Sequence, residues 1–449
     1  MSKTAFPGLD DTLLSKITQY MQKPSFYLRP VAGILKMRLL EAPQRLQILA
    51  GPRQVGKTTL VQQVLADRPT ASYYFVAADS PNQVDSAPYG AQSDNLMSSY
   101  FKGRPAGQWL REAWNLAERR AATWQESGHP AAKGLPFVLV IDEIQLVSQW
   151  SSEVKGLWDQ GQSRGLRMHV VLLGSAPLLV QQGLNESLTG RYELVRVAHW
   201  SFAEMNDAFG FTLDQYIYFG GYPGSAHLIH DEQRWRAYVR DALIEPSIER
   251  DVLAMSRVDK PAMLRRLFGL GCDYSAQIVS LDNVSRTLGQ GHTLTLTHHL
   301  TLLGQAGLLG GLHKYAAQTI RQRKSPPKFQ VHNNALMTAG GTYGFDDARA
   351  DRSYWGRQVE SAVGAHLVTS ADSDTRIHYW REGDTEVDFV IEWRGRLAAI
   401  EVKSAAFSVR HRGLDEFCRR HPDAQRWLVG SDELPVGDFL RQDLSYWTK

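Results

Sequence analysis

A glycine-rich turn followed by a lysine and a threonine lies near the start of the chain. Residues 51–58 have the G-x-x-x-x-G-K-[ST] spacing of a P-loop, between a short apolar stretch and a run with helical periodicity. Backbone N–H groups of such a turn point at a phosphate, and the following helix adds its positive end. Lys57 is expected to neutralise the β- and γ-phosphates, and Thr58 to give its hydroxyl to Mg²⁺. The sequence therefore predicts a nucleoside triphosphate site formed by Gly51, Pro52, Arg53, Gln54, Val55, Gly56, Lys57, Thr58 and Thr59.

Two acids follow the apolar run of residues 137–141. A central parallel strand is buried on both faces, and its carboxyl end delivers such acids beside the P-loop. We expect Asp142 to hold Mg²⁺ through water and Glu143 to activate the attacking water as a general base. A strand that merely ends in an acidic turn is the alternative.

Two further side chains are placed to reach a γ-phosphate. Ser175 ends the apolar strand of residues 169–174, where AAA-like ATPases carry a phosphate sensor, and a helix N-cap is the alternative role. Arg191 is predicted to act as an arginine finger on a neighbouring subunit, a contribution of about 10³-fold or more in rate. The alternative for Arg191 is a solvated loop arginine.

A second set of acids lies near the end of the sequence. Strand alternation puts Glu401 and Lys403 on one face, and a hairpin would bring Asp388 opposite Glu401. Paired carboxylates hold Mg²⁺ that activates water near a phosphodiester, and Lys403 would position that water. Glu360, on a predicted helix over residues 355–363, is a further candidate ligand. An exposed acid–lysine ion pair is the alternative, because E-x-K alone is a weak signal.

The elements that position these residues follow from hydrophobic periodicity. We predict a helix over residues 107–126 and a helical lid over 204–260. Within this lid, Arg250 and Asp251 are interpreted as a solvated ion pair, with a functional role as the alternative. Residues 261–315 have the proportions of a winged helix, with helices at 261–271, 282–288 and 293–305 and a hairpin wing at 307–315. The purpose of the Ser-, Pro- and Gly-rich segment 80–106 is not indicated.

Bulk properties limit the class of protein. A chain of 449 residues is long enough for about three domains, and its net charge of +3 argues neither for nor against nucleic acid. The 2 cysteines fit a reducing compartment. No apolar run reaches the ~20 residues of a membrane span. These properties predict a cytoplasmic protein with no membrane association.

The order of the motifs resembles a large group of bacterial and archaeal AAA-family P-loop ATPases. The shared strings are residues 51–59, Asp142-Glu143-Ile144-Gln145, 187–191, 200–204 and 220–223. Asp388, Glu401 and Lys403, with Glu360, resemble the PD-(D/E)xK nuclease family, although Val387 stands where the motif name has proline.

The resemblance implies an α/β fold with four parts. These are a P-loop AAA-like ATPase core over residues 1–203, a helical lid over 204–260, a winged-helix module and linker over 261–327, and an α/β restriction-endonuclease-like domain over 328–449.

The P-loop residues predict ATP and Mg²⁺ as cofactors, and the C-terminal acids with the winged helix favour DNA as partner. An Arg191 that acts on a neighbouring subunit predicts a homo-oligomer such as a hexameric ring. The predicted function is an ATP-hydrolysing motor that remodels or translocates DNA, with metal-dependent cleavage as an added activity. The alternative is a nucleotide-switched regulatory ATPase whose C-terminal domain binds DNA or protein without cutting it.

Overall fold

The computed structural model describes residues 27–78, 106–174, 187–253, 260–289, 292–316, 325–403 and 412–448, apart from the side chains of Ala106 and Arg250. Several predictions from the sequence lie outside these residues. They concern Ser175, residues 80–105 of the predicted segment 80–106, and the side chain of Arg250.

Strands and helices alternate in the first part of the chain. The strands are β1 (Leu46–Ala50), β2 (Tyr73–Ala77), β3 (Phe137–Asp142), β4 (Met168–Gly174) and β5 (Tyr192–Arg196). The helices are α1 (Val31–Arg38), α2 (Lys57–Leu65), α3 (Ala106–Glu126) and α4 (Trp150–Ser163). This alternation is the pattern of an α/β unit with a parallel sheet.

The first sheet has the strand order β2-β3-β4-β1-β5, and its neighbouring strands run parallel. Every residue of β1, β3 and β4 is buried, as expected for strands covered on both faces. Ile48 and Leu139 belong to the apolar layer that includes α3 and α4, whereas Leu49 and Val140 belong to the layer of α1 and α2. The P-loop and Asp142 therefore both lie at the carboxyl edge of a sheet held rigid from two sides.

The second part of the chain is helical at first and then mixed. Its helices are α5 (Phe202–Phe209), α6 (Leu213–Phe219), α7 (Glu232–Ala237), α8 (Pro261–Asp273), α9 (Leu281–Thr287), α10 (Thr293–Gln305), α11 (Ala335–Thr338), α12 (Phe345–Ala350), α13 (Arg352–Ser370), α14 (Arg412–Arg420) and α15 (Val436–Arg441). Two π-helical segments, Tyr238–Ile244 and Ser247–Leu253, follow α7. The strands are β6 (Leu309–Lys314), β7 (Lys328–Val331), β8 (Thr375–Glu382), β9 (Thr385–Trp393), β10 (Arg396–Val402) and β11 (Gln425–Val429).

The second sheet has six strands in the order β11-β10-β9-β8-β6-β7. Strand β9 pairs antiparallel with both β8 and β10, and β11 pairs parallel with β10. Strand β6 joins this sheet by pairing parallel with β8 and antiparallel with β7. Strand pairing thus crosses the predicted domain boundary between residues 327 and 328.

The hairpin predicted over residues 307–315 is wrong, because the region forms the single strand β6. Gly310 and Gly311 lie inside this strand and allow close packing against it. A Cβ on Gly311 would lie 2.6 Å from Leu300 Cδ2 and 2.9 Å from Pro327 Cβ, and one on Gly310 would lie 3.1 Å from His332 Nε2. Glycine at these positions therefore marks a close approach and not a reversal of the chain.

One apolar core connects the regions predicted as lid, winged helix and nuclease-like domain. It extends from Trp200 to Trp447 and includes Trp235 of α7, Leu303 of α10 and Phe389 of β9. The three regions therefore pack as one body around shared side chains, while the first sheet keeps its own two apolar layers. In the described part of the chain, no helix combines the length and apolar character needed to cross a membrane.

Candidate functional site

The P-loop runs from the end of β1 to the start of α2, and its two end glycines are needed for different reasons. Gly56 has φ of 86°, in the left-handed region that glycine adopts without strain, and it stands at the N-terminus of α2. A Cβ on Gly51 would lie 1.9 Å from the carbonyl oxygen of Val197. Close packing against the chain after β5 therefore excludes any side chain at Gly51.

Lys57 folds back over the loop that precedes it. Its Nζ donates to the carbonyl oxygen of Gly51 at 2.9 Å and to that of Pro52 at 2.7 Å. The residue is only 7% exposed, and burial lowers the pKa of Lys57 to about 8, although Glu143 and Asp142 oppose this effect. An ammonium group held only by these backbone carbonyls is suited to exchange them for phosphate oxygens.

Thr58 and Asp142 meet across the carboxyl edge of the sheet. Thr58 Oγ1 donates to Asp142 Oδ2 at 2.6 Å, and Asp142 Oδ1 accepts the backbone N–H of Glu143 at 2.8 Å. Burial raises the pKa of Asp142, and the hydrogen bond from Thr58 opposes this shift. A hydroxyl beside a buried carboxylate fits Mg²⁺, which takes oxygen ligands and keeps most of its water.

Glu143 has φ of 50° and ψ of 39°, an uncommon left-handed conformation for a residue with a side chain. The amide of Gln145 donates to Glu143 Oε2. Strained backbone of this kind is frequent at functional sites, which agrees with the role predicted for Glu143 as a general base.

Arg53, in the middle of the P-loop, forms an ion pair that was not predicted from the sequence. Its Nε lies 2.8 and 2.9 Å from the two carboxylate oxygens of Asp251, which belongs to the π-helical segment Ser247–Leu253. Asp251 is 2% exposed, so the interpretation of this acid as part of a solvated pair is wrong. Burial raises the pKa of Asp251, Arg53 and Lys57 oppose the shift, and Glu143 adds to it. The contact of Asp251 with Arg53 places this carboxylate beside the predicted nucleotide site.

A second ion pair holds the back of the same loop. Arg29 donates to both carboxylate oxygens of Glu204, at 2.8 and 2.9 Å, and to the carbonyl oxygen of Val55 at 3.3 Å. Trp200 Nε1 donates to the same Val55 carbonyl at 3.0 Å. Both members of this pair are buried, so the backbone of the P-loop is fixed by side chains from outside its own sheet.

The remaining predicted residues of the first site are placed as follows. Gln54 and Thr59 are exposed, and Gln54 has φ of 61°. Arg191 is partly exposed and forms a bidentate pair with Asp159 of α4, at 2.7 and 2.9 Å. Its role on a neighbouring subunit stays a prediction.

The four residues of the predicted second site are gathered where helix α13 packs beside β9 and the end of β10. The register of β9 and β10 pairs Phe389 with Ile400, so Asp388 and Glu401 are the next residues along. Asp388 Oδ2 accepts the backbone N–H of Val402 at 2.8 Å, and Glu401 Oε1 accepts from Lys403 Nζ at 2.7 Å. Glu360, on α13, is close enough for the charge of Asp388 to act on it.

A buried lysine that was not predicted lies inside this acid cluster. Lys328, the first residue of β7, is completely buried, and its Nζ lies 2.5 Å from Glu360 Oε1. The same Nζ lies 3.0 Å from the carbonyl oxygen of Asp388 and 3.8 Å from Asp388 Oδ1. A lysine at the start of a short apolar strand gave only a weak signal in the sequence.

The charges in this cluster shift one another strongly. Burial raises the pKa of Glu360 to about 7, repulsion from Asp388 adds to the shift, and Lys328 opposes it. Burial disfavours the ammonium of Lys328, but Glu360 and Asp388 outweigh that cost and raise its pKa. Across the described residues, no three His, Cys, Asp or Glu side chains are grouped to hold a metal ion. The ammonium of Lys328 therefore competes with the metal ion that Glu360, Asp388 and Glu401 are predicted to bind.

The family comparisons agree with the geometry of the first site. Residues 43–206 match a family model described as an AAA domain. With its parallel sheet, P-loop and buried strand ending in Asp142, this region is a P-loop ATPase domain of the AAA type, as predicted. Residues 210–341 and 355–439 match two models described as domains of unknown function, DUF8612 and DUF4143. The winged-helix and nuclease-like assignments stay predictions.

Similar proteins share most of the chain. An uncharacterized protein of Mycobacterium tuberculosis is 27% identical over 410 residues, which cover 89% of this chain and 79% of the relative. An uncharacterized protein of Mycobacterium bovis gives the same values. Among solved structures, a Walker-type ATPase of Pyrococcus abyssi has a TM-score of 0.44 at 15% identity, covering 70% of this chain and 95% of its own. The Pif1 helicase of Candida albicans has a TM-score of 0.21 at 14% identity, covering 33% of this chain and 32% of its own. Both scores are too low to support a functional argument.

The contacts of Lys57 predict that nucleotide affinity and stability respond oppositely to its removal. Lys57→Met removes an ammonium that is buried without nucleotide, so the melting temperature of the nucleotide-free protein should stay constant or rise. Affinity for a fluorescent ATP analogue should fall by roughly one to two orders of magnitude, since a hydrogen bond between charged groups contributes about 1.5–3 kcal/mol. Lys36→Met, at a partly exposed lysine paired with Asp67, is the matched control and should change neither quantity. Unchanged affinity in Lys57→Met would contradict this role.

Proposed function

We propose that the protein is a nucleotide-switched ATPase, in which ATP bound at the P-loop changes the contacts between the AAA-type domain and the second body of the chain. The observation that carries this proposal is the Arg53–Asp251 ion pair, which joins the P-loop to the segment after α7. Arg53 lies on the P-loop, so a bound phosphate would attract its guanidinium. Its partner Asp251 precedes Val252, which is buried in the other apolar core.

Hydrolysis would use residues already placed by the fold. Glu143 would take a proton from the attacking water as the water oxygen bonds to the γ-phosphorus and the bond to the β-phosphate oxygen breaks, which releases ADP and phosphate. Lys57 would neutralise charge on the phosphate oxygens. Mg²⁺ beside Thr58 and Asp142 would supply further charge neutralisation. ATP is thus both the substrate and the signal in this proposal.

Asp251 gives the switch its direction. Its buried carboxylate lies against Arg53 of the P-loop, so it would repel a γ-phosphate bound at that loop. The triphosphate therefore competes with Asp251 for the guanidinium of Arg53. ADP, which lacks the γ-phosphate, competes less. The Arg53–Asp251 pair should accordingly be weakened by ATP and restored after hydrolysis.

We expect Asp251→Asn to raise the affinity for ATP relative to that for ADP by about threefold to tenfold, on the order of 1 kcal/mol. The measurement is isothermal titration in the Glu143→Gln background, where ATP binds but is not consumed. Asp241→Asn, at an exposed acid on the preceding π-helical segment, is the matched control. An unchanged ratio of ATP to ADP affinity in Asp251→Asn would refute the switch, and rapid ATP turnover by Glu143→Gln would remove that residue from the role of base.

DNA is a second candidate for what the ATPase acts on, as in the motor predicted from the sequence. The observation in its favour is that the fold gathers Glu360, Asp388, Glu401 and Lys403, which resemble a nuclease site. Helix α10 offers little support, because its sequence from Thr293 to Gln305 contains no lysine or arginine for phosphate contacts.

The DNA proposal predicts that ATP turnover rises when duplex, forked or single-stranded DNA is added. A coupled ATPase assay at low salt measures this, since phosphate contacts weaken as salt increases. If the Arg53–Asp251 pair couples ATP turnover to DNA, Asp251→Asn should lose the stimulation of turnover by DNA. Turnover that no DNA structure changes would contradict DNA as the partner.

A further inference from the structure

The C-terminal acid cluster contains its own cation. Glu360, Asp388 and Glu401 supply three carboxylates, and Lys328 and Lys403 supply two ammonium groups. The closest of these contacts, 2.5 Å, joins Lys328 Nζ to Glu360 Oε1. Most of the negative charge in the cluster is therefore compensated by side chains of the protein itself.

We infer that the ammonium of Lys328 takes the place of a metal ion in this cluster, so that the cluster binds no divalent cation. This inference is independent of the proposed ATPase switch. It implies that a DNA strand held near Asp388 and Glu401 is not cut by metal-activated water at this site.

The ammonium of Lys328 lies against both Glu360 and Asp388. Its Nζ contacts Glu360 Oε1 and the carbonyl oxygen of Asp388, and it lies 3.8 Å from Asp388 Oδ1. A divalent ion shared by Glu360 and Asp388 would have to occupy the same space. Because the two cations repel each other strongly in a buried site, they cannot both be bound there.

Lys328 is buried in the protein interior. Its side chain is 0% exposed, and its Nζ also lies 4.6 Å from the centre of the Phe389 ring. A surface lysine could swing into solvent and make room for a metal, but this one is enclosed on all sides. A charge taken out of water is retained only where it is paired and hydrogen-bonded, and these contacts provide that pairing.

Carboxylate oxygens of the cluster already accept hydrogen bonds from the protein. Asp388 Oδ2 accepts from the backbone N–H of Val402, and Glu401 Oε1 accepts from Lys403. Glu401 Oε2 is buried without a hydrogen-bond partner among the described residues. One such buried oxygen is fewer than the several oxygen ligands that Mg²⁺ or Mn²⁺ arranges around itself.

Mn²⁺ binding to the full-length protein tests this inference, measured by the loss of the free-ion signal in electron paramagnetic resonance. All proteins carry Asp142→Asn and contain no nucleotide, so that Mn²⁺ at the P-loop does not contribute. Lys328→Met keeps a long unbranched side chain and removes its charge. It should bind one additional Mn²⁺, with an affinity about tenfold or more above that of the parent protein. Lys403→Met is the matched control and should gain no ion, because Lys328 remains in place.

If Lys328→Met does not fold, a second comparison tests whether the acid cluster of the parent protein binds Mn²⁺. Adding Asp388→Asn to the parent protein should leave its Mn²⁺ binding unchanged. A Mn²⁺ ion that binds the parent and is lost with Asp388→Asn would overturn the inference. A folded Lys328→Met protein that gains no Mn²⁺ would also overturn it, because some other feature would then exclude the metal.

Discussion

The ion pair between Arg53 and Asp251 makes the phosphate-binding loop depend on a part of the chain that lies 198 residues further on. The Arg29–Glu204 pair, 175 residues apart, holds the same loop from behind through Val55. Removing one member of a buried ion pair costs about 3–5 kcal/mol, because the other charge stays buried without a partner. The geometry of the P-loop is therefore a property of both apolar cores, although its sequence signature is entirely local.

The two acid clusters show how similar side chains acquire different chemistry. Near the P-loop, Lys57 is held by carbonyl oxygens of Gly51 and Pro52, which leaves Asp142 with only a hydroxyl and an amide as partners. In the second sheet, Lys328 contacts Glu360 and Asp388 directly. The first arrangement presents oxygens to an incoming cation, whereas the second satisfies them from within the fold. The difference lies in where the buried lysine points and not in the number of acids.

Local patterns were sufficient to predict much of the structure. Residues 51–58 specified the strand, loop and helix of the nucleotide site, and the apolar run before Asp142 specified a buried strand. The period-two pattern of β9 and β10 with a turn at Gly395 brought Asp388 next to Glu401. In each case the residues that decide the structure lie within about fifteen positions of one another, so short-range periodicity contains the information.

What could not be predicted depends on contacts between distant parts of the chain. Asp251 looked like a solvated acid because its partner Arg53 lies in the P-loop, 198 residues earlier in the chain. Lys328 meets Asp388 from 60 residues away, so no local spacing connects them. The hairpin predicted over residues 307–315 is wrong because the close approach of Leu300 and Pro327 to Gly311 leaves no trace in the neighbouring sequence.

Hydrogen exchange in the Glu143→Gln protein, with and without ATP, tests most directly whether the P-loop controls the second body. The account predicts altered amide protection in residues 247–253 and 198–204 as well as in residues 51–58, because Arg53 and Arg29 link these segments. Protection changes confined to the P-loop and residues 142–143 would contradict it.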